Sequence, residues 1–436
     1  MAKRKERTTI VIAGRTNAGK SSLLNLLSGQ RDRAIVDPTP GTTADTVQTV
    51  MEIHDFGPVK VFDTAGIDEG SDLGVKKRQK SFEAIDEADL VMLVLDSRLC
   101  GSDREKSGHD ISKDDLEIIE RAQKRNKQLL IINNNFTKER SHRDLNHPRN
   151  LNYPTLNIDI SDFSQQRKLI EFIKKNFKKE TRDVQLLPFL KYAKGTGFVL
   201  LNIPMDEETP KLRLLRPQDM AMERLLRKFY TPVLYRMDLK KARSDDPEIV
   251  EAERKRFLHM VDQFSNNHED GLQLIITDSQ AMDIMSKWTP PQTQLTTFSI
   301  MMTDYMSNGN LQLFVDGLHV IPDLKDGDSI LIAESCNHDR KAEDIGTVQL
   351  PRIFKEKLGL NINFEYSAGR VFPTENSLKK YKLIIHCGGC MIDKQKYMAR
   401  LETLKQANIP ITNYGVILSY FQGEEGLKKV LEPWEL

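Results

Sequence analysis

Two groups of residues in this sequence have the types and spacing to do chemistry, and they lie at opposite ends of the chain. The first is Gly14-Arg15-Thr16-Asn17-Ala18-Gly19-Lys20-Ser21, which meets the pattern Gly-x-x-x-x-Gly-Lys-Ser. Glycines at 14 and 19 let backbone N–H groups wrap a β-phosphate with no Cβ in the way. A helix that follows points its positive end at the phosphates. Lys20 reaches the β- and γ-phosphates, and Ser21 offers a hydroxyl to Mg²⁺. Ala18 and Ser22 complete the phosphate-binding stretch. Asp63-Thr64-Ala65-Gly66 adds a carboxylate for the metal's water shell and an amide at Gly66 that senses the γ-phosphate. Gly41-Thr42-Thr43 adds Thr43 as a second hydroxyl on Mg²⁺. Lys20, Asp63 and Gly66 are therefore the candidate catalytic groups of a nucleoside triphosphate hydrolase.

The second group is Cys336-Asn337-His338 with His386-Cys387-Gly388-Gly389-Cys390. The chain has only 4 cysteines, and three fall in its last quarter. Such clustering favours metal or redox chemistry over disulfides. Gly388 and Gly389 allow a tight fold, so that Cys387 and Cys390 share one centre. Three thiolates and two imidazoles admit zinc held by three cysteines and one histidine. They equally admit an iron–sulfur cluster that is one cysteine short of four, leaving one iron with an exchangeable ligand. Chemistry alone leaves both open. Cys100, in a polar loop, is read as incidental.

Positioning these groups requires strands and helices in alternation. Thr8 to Ala13, Val59 to Phe62, Leu90 to Leu95 and Leu129 to Ile132 read as buried strands. Ser21 to Leu27, Asp114 to Lys124 and Gln165 to Lys178 read as helices. That alternation implies a parallel sheet with helices on both faces. The basic run Lys174 to Arg182 closes this domain. A smaller α+β unit follows, with a strand at Phe198 to Ile203, a helix at Arg216-Pro217, a strand near Val233 and a long helix from Pro247 to Phe264. From Gly271 the alternation resumes, with strands at Leu272 to Thr277, Ser329 to Ala333, Lys382 to Ile385 and Ile409 to Ile411. Both cysteine segments follow strands directly. If those strands are neighbours, both reach one sheet edge, where ligand sites of parallel sheets form. The expected division is 1–180, 181–270 and 271–436, in line with a length of 436 residues.

Lysine and arginine nearly balance the acidic residues, leaving a net charge of +1. A dedicated RNA binder carries a basic excess, so no nucleic-acid partner is expected. No apolar run reaches the roughly 18–20 residues of a bilayer span. The basic start, Met1 to Arg7, leads at once into a strand and carries no cleavage pattern. These features predict a cytoplasmic protein with no membrane partner.

The stretch from Gly14 to Asn25 resembles the translation-factor-like GTPases of the tRNA-modification and ribosome-assembly group. Some members of that group use the asparagine of this loop to hold K⁺, and Asn17 matches that position. After Gly66 stands Ile67 in place of the water-orienting glutamine of other GTPases, which implies slow intrinsic turnover. The guanine-reading pattern Asn-Lys-x-Asp is not met. The chain reads Asn133-Asn134-Asn135-Phe136-Thr137, in which Asn133 keeps the first position and no carboxylate follows. A later Ser-Ala pair is replaced by Ile158-Asp159-Ile160-Ser161. The motif leaves the base open.

The phosphate loop, together with Cys-x-His, 47 further residues and His-Cys-x-x-Cys, resembles the maturation GTPase of FeFe-hydrogenases over nearly the whole chain. Asp278 to Ala281, Leu331 to Glu334 and Pro410 to Val416 add to the likeness. The resemblance implies a GTP-binding domain, a dimerisation domain and a cluster-binding domain. It implies a 4Fe-4S cluster on Cys336, Cys387 and Cys390, with His338 and His386 as candidates for the remaining position. It implies GTP with Mg²⁺, a two-iron subcluster precursor as cargo, and a homodimer. Its partners would be two radical SAM hydrogenase maturases and the apo FeFe-hydrogenase. The rival reading is a ribosome- or tRNA-associated GTPase with a structural zinc domain.

Overall fold

The computed structural model describes residues 7–29, 47–53, 56–64, 66, 72–96, 111–135, 152–178, 184–191, 197–205, 214–265, 271–335, 344–369 and 372–436. The chain divides into two compact units, Met1–Thr181 and Arg182–Leu436.

The first unit is built on six strands: β1 (Thr8–Ala13), β2 (Val47–Ile53), β3 (Gly57–Asp63), β4 (Leu90–Asp96), β5 (Gln128–Asn134) and β6 (Thr155–Ile158). Their spatial order is β2-β3-β1-β4-β5-β6. Only β2 runs antiparallel, against β3. All six residues of β1 are buried, because both faces of the sheet are covered. Ile10 and Ile12 pack with Leu23 and Leu27 on one face, while Val11 and Ala13 pack with Ile85 and Ile118 on the other. This is the two-residue period of a strand buried on both sides.

The second unit contains two four-stranded sheets. One comprises β7 (Phe198–Asn202), β8 (Thr231–Tyr235), β9 (Leu272–Thr277) and β10 (Gln294–Thr297), in the order β10-β9-β7-β8. The other comprises β11 (Ser329–Ala333), β12 (Asn363–Ser367), β13 (Tyr381–His386) and β14 (Ile411–Asn413), in the order β12-β11-β13-β14. Every pairing in both is parallel, so the middle segment, expected as α+β, contributes to an α/β sheet. The expected division at 270/271 falls inside that sheet, since β9 pairs with β7. Gly271 makes the entry to β9 with φ 52°, and a Cβ there would lie 2.9 Å from the Ser265 carbonyl oxygen. One core runs through both sheets, uniting Leu200 and Ile275 with Ile330, Ile332 and Ile385. No helix among the described residues is long and apolar enough to cross a membrane.

The helix Phe298–Met306 is buried along most of its length and carries a carboxylate, Asp304, only 5% exposed. Burial pushes its pKa up to about 6, with the charge of Lys394 opposing. The folded state thus holds this proton more tightly than the unfolded chain does. The stability it contributes is present below about pH 4 and is lost as pH rises through about 6. Asp304→Asn should therefore raise stability at pH 8 by roughly 2 kcal/mol, and the gain should vanish below pH 4. Urea unfolding at both pH values checks this, and a loss of stability at pH 8 would contradict it.

Candidate nucleotide site and cysteine centre

The phosphate loop leaves β1 where the strand order reverses, with β3 on one side and β4 on the other. Gly14 has φ 146°, and a Cβ there would lie 2.5 Å from the Val94 carbonyl oxygen. Asn17 (φ 61°) and Gly19 (φ 104°) turn the loop through left-handed conformations into the helix Lys20–Ser28. Lys20 is buried, and its Nζ donates to the carbonyls of Gly14 at 3.1 Å and Arg15 at 2.7 Å. The ammonium is thereby held inside the loop. Ser21 Oγ donates to Asp63 Oδ2 at 2.6 Å. Asp63 Oδ1 is buried with no hydrogen-bond partner. Burial raises the Asp63 pKa, while the Ser21 hydrogen bond and the Lys20 charge pull it down. A hydroxyl and a carboxylate with an orphaned oxygen form a hard donor set that fits Mg²⁺. Gly66 lies so close to the loop that a Cβ would stand 2.6 Å from the Thr16 nitrogen. Ala18 is buried and Ser22 is exposed on the first turn of the helix. Thr43 lies outside the described residues.

The expectation for Asn133 is corrected. Its Nδ2 donates to Asn157 Oδ1 at 2.8 Å on the rim of the sheet. Asn134 instead is fully buried, donates to the Ala18 carbonyl at 3.1 Å and accepts from the Ile160 N–H at 3.3 Å. It joins the phosphate loop to the segment after β6. The cause is strand alternation: at the end of β5, the side chain of 134 turns toward the loop and that of 133 turns away. A pattern read from Asn134 continues through Asn135 to positions 136 and 137, which lie outside the described residues.

At the other end of the chain, β11 and β13 are neighbours, with Ala333 opposite His386. The order of this sheet also reverses between them, since β12 flanks β11 and β14 flanks β13. The ends of both strands therefore open on one crevice. The Cys387 N–H donates to the Ala333 carbonyl at 3.0 Å, and the Ser335 N–H reaches Cys387 Sγ at 3.2 Å. The chain entering Cys336 is thus held on Cys387. Gly389 has φ 73°, and a Cβ there would lie 2.6 Å from the Tyr397 ring. Neither half-buried Cys387 nor Cys390 is in a disulfide. Cys336, His338 and Cys100 lie outside the described residues. Among the described residues, no group of three or more His, Cys, Asp and Glu could hold a metal ion.

His386 does not present itself to this crevice as a ligand. It is fully buried, with Nδ1 2.6 Å from the Cys387 carbonyl oxygen and Nε2 3.3 Å from Arg400 Nη1. Nδ1–H donates to the carbonyl and Nε2 accepts from the guanidinium, so both ring nitrogens are engaged. Burial and the Arg400 charge push its pKa down to about 3, which keeps the ring neutral. Further contributors surround the loop, and of these Arg216 lies in no motif. Arg216 Nη1 donates to the carbonyls of Cys390 at 3.1 Å and Ile392 at 3.2 Å. Tyr414 donates to buried Glu334 at 2.8 Å. Asn413 donates to Thr303 Oγ1 at 2.8 Å and the His386 carbonyl at 3.3 Å, tying β14 to β13.

Comparison with known proteins bears on both ends of the chain. Residues 9–135 match the 50S ribosome-binding GTPase family. Residues 254–306 match the hydrogen maturase F dimerization domain, and residues 312–433 match the hydrogen maturase F tetramerization domain. The chain thus carries a GTPase domain followed by both hydrogen maturase F domains. The dimerization match runs across the expected 270/271 division, as the sheet does. Among curated relatives, the tRNA modification GTPase MnmE of Natranaerobius thermophilus is 40% identical over 127 residues, 28% of this chain and 24% of that protein. The mitochondrial 5-taurinomethyluridine-[tRNA] synthase subunit GTPB3 of Danio rerio is 40% identical over 128 residues, 28% of this chain and 25% of that one. The chain thus spans about a quarter of the length of these relatives. Aquifex aeolicus Era bound to GDP.AlF4- is similar at 17% identity and a TM-score of 0.32, covering 56% of this chain and 97% of that one. A likeness at that score adds nothing to the assignment.

Proposed function

We propose that this chain binds and hydrolyses GTP with Mg²⁺ and acts as a scaffold or carrier in hydrogenase maturation. It assembles or delivers the two-iron subcluster precursor to apo FeFe-hydrogenase, using a 4Fe-4S site in its C-terminal part. The observation that carries this reading is the crevice between β11 and β13, where Ser335 lies on Cys387 Sγ immediately before Cys336. Soft thiolates from two strand ends are the donor set that iron–sulfur clusters use. The donors described fit such a group: Cys387 and Cys390 stand on a glycine turn, and Cys336 follows Ser335 in sequence. When bound, the cluster would offer an iron with an exchangeable position for the cargo. The protein's own part is to hold the thiolates and keep His386 neutral behind them.

The nucleotide site serves as a switch. Lys20 holds the phosphates, Ser21, Thr43 and Asp63 hold the metal, and segments around Thr43 and Gly66 order on the γ-phosphate. The nucleotide state would then bias which partner is docked, whether the radical SAM maturases or the apo-hydrogenase. In these terms residues 1–180 are the switch, 181–270 with β9 and β10 the dimerisation part, and the remainder the cluster part. Asn17, exposed in the left-handed conformation at the loop tip, would hold K⁺. Turnover should rise several-fold in K⁺ over Na⁺, and equal rates would remove this role.

The homodimer would form through β8, an edge strand that carries Leu234 and follows Leu226 and Phe229; these three are 55%, 62% and 73% exposed. A bare strand edge with apolar neighbours invites pairing. Leu234→Lys should shift the protein from dimer to monomer in sedimentation at micromolar concentration, and an unchanged mass would place the interface elsewhere. The function as a whole is tested by loading the protein with the maturases, re-isolating it and mixing it with apo-hydrogenase. Hydrogen evolution is the expected result; none, with a protein that carries iron beyond its resident cluster, would contradict delivery.

A further inference from the structure

The loop from His386 to Ile392 is gripped at both ends by arginines from two different helices. Arg400, on the helix Lys394–Ala407, is 3% exposed. Its Nη1 meets His386 Nε2 at 3.3 Å, its Nη2 donates to the Gly369 carbonyl, and its guanidinium lies 5.0 Å from the centre of the Phe372 ring. Through His386 Nδ1 this contact passes to the Cys387 carbonyl. At the far end Arg216, the first residue of the helix Arg216–Arg227, donates to the Cys390 and Ile392 carbonyls. Of the three loop carbonyls fixed in this way, two belong to the two cysteines of the motif.

We propose that Arg216 and Arg400 are positioning residues that clamp the cysteine loop and hold positive charge beside whatever the thiolates bind. The inference rests on the iron–sulfur reading above. A cluster held by thiolates and sulfide gains negative charge when it takes up an electron, so fixed cations nearby favour the reduced form. Arg400 lies in the protein interior, where its charge is screened little, while Arg216 is exposed and screened more. Removing the Arg400 charge should therefore lower the reduction potential further than removing that of Arg216. Lysine keeps the charge but loses the planar fork that spans His386 and Gly369. Arg216 also gives the clamp a second consequence. Its helix follows β7 and precedes β8, so the sheet of the dimerisation part is fastened to the cysteine loop.

The test uses the full chain, reconstituted anaerobically with iron and sulfide as wild type, Arg216→Gln, Arg400→Gln and Arg400→Lys. Each is titrated with dithionite and mediators while the reduced cluster is followed by electron paramagnetic resonance. Both glutamine variants should give midpoints more negative than wild type, Arg400→Gln the more so, with Arg400→Lys close to wild type. Midpoints identical to wild type in variants carrying wild-type iron and sulfide would overturn the proposal while leaving the iron–sulfur reading intact. A wild-type protein that takes up no cluster would overturn both. Should the buried Arg400→Gln fail to fold, the exposed Arg216→Gln decides alone, by a shifted or an unshifted midpoint.

Discussion

Lys20→Ala should cut GTP turnover on the order of 10²–10³-fold, the loss expected when a preorganised charged donor to the transferring phosphate is removed. Lys20 Nζ is held within the loop by the Gly14 and Arg15 carbonyls, so the donor is in place before the nucleotide arrives. Preorganisation of this kind avoids reorganisation during the reaction. Asp63→Asn should act differently. It keeps a partner for Ser21 but removes the negative charge from the metal's surroundings, so the loss should shrink as Mg²⁺ is raised. Lys20→Ala should not be rescued by metal. Phosphate release measured across a Mg²⁺ series separates the two, and wild-type turnover in Lys20→Ala would remove the phosphate loop from the chemistry.

Cys387→Ser is expected to have the larger effect at the other end: iron uptake on reconstitution falls to background. Cys387 takes the Ser335 N–H on its sulfur and sits where the strand order reverses between β11 and β13. Serine offers a hard oxygen of much higher pKa, which softer iron sites bind poorly. Cys390→Ser and Cys336→Ser should also lose the four-iron cluster. His386→Gln should retain it, because that ring faces Arg400 and the loop backbone. Its effect should instead be a loss of thermal stability. Colorimetric iron and sulfide determinations decide the matter, and full loading of the Cys387 variant would exclude that residue from the centre.

Much of this was legible in the residues. The strands from Thr8 to Ala13, Leu272 to Thr277 and Ser329 to Ala333 coincide with β1, β9 and β11, since runs made mostly of β-branched and apolar residues mark strands buried on both faces. The glycine spacing of the phosphate loop carries its own geometry, because φ 146° and φ 104° are open to little else. What was not legible depended on distant parts of the chain. The choice between Asn133 and Asn134 is a matter of strand phase, and an apolar run hides phase because either face is buried. His386 looked like a ligand because histidine beside cysteine is a ligand type. Its partner, Arg400, stands on the following helix and signals nothing in sequence. The second sheet takes strands from both sides of 270/271, and sequence alternation cannot tell which strands lie side by side. Asn413 and Tyr414, met as part of a resemblance, prove to hold β13 and Glu334.

The most direct measurement is reconstitution of the anaerobically purified full-length protein with iron and sulfide, followed by reduction and electron paramagnetic resonance. About four irons and four sulfides per chain and the signal of a reduced 4Fe-4S cluster are expected, both lost in Cys387→Ser. Stoichiometric zinc that resists exchange, with no reducible cluster formed, would contradict the iron–sulfur reading.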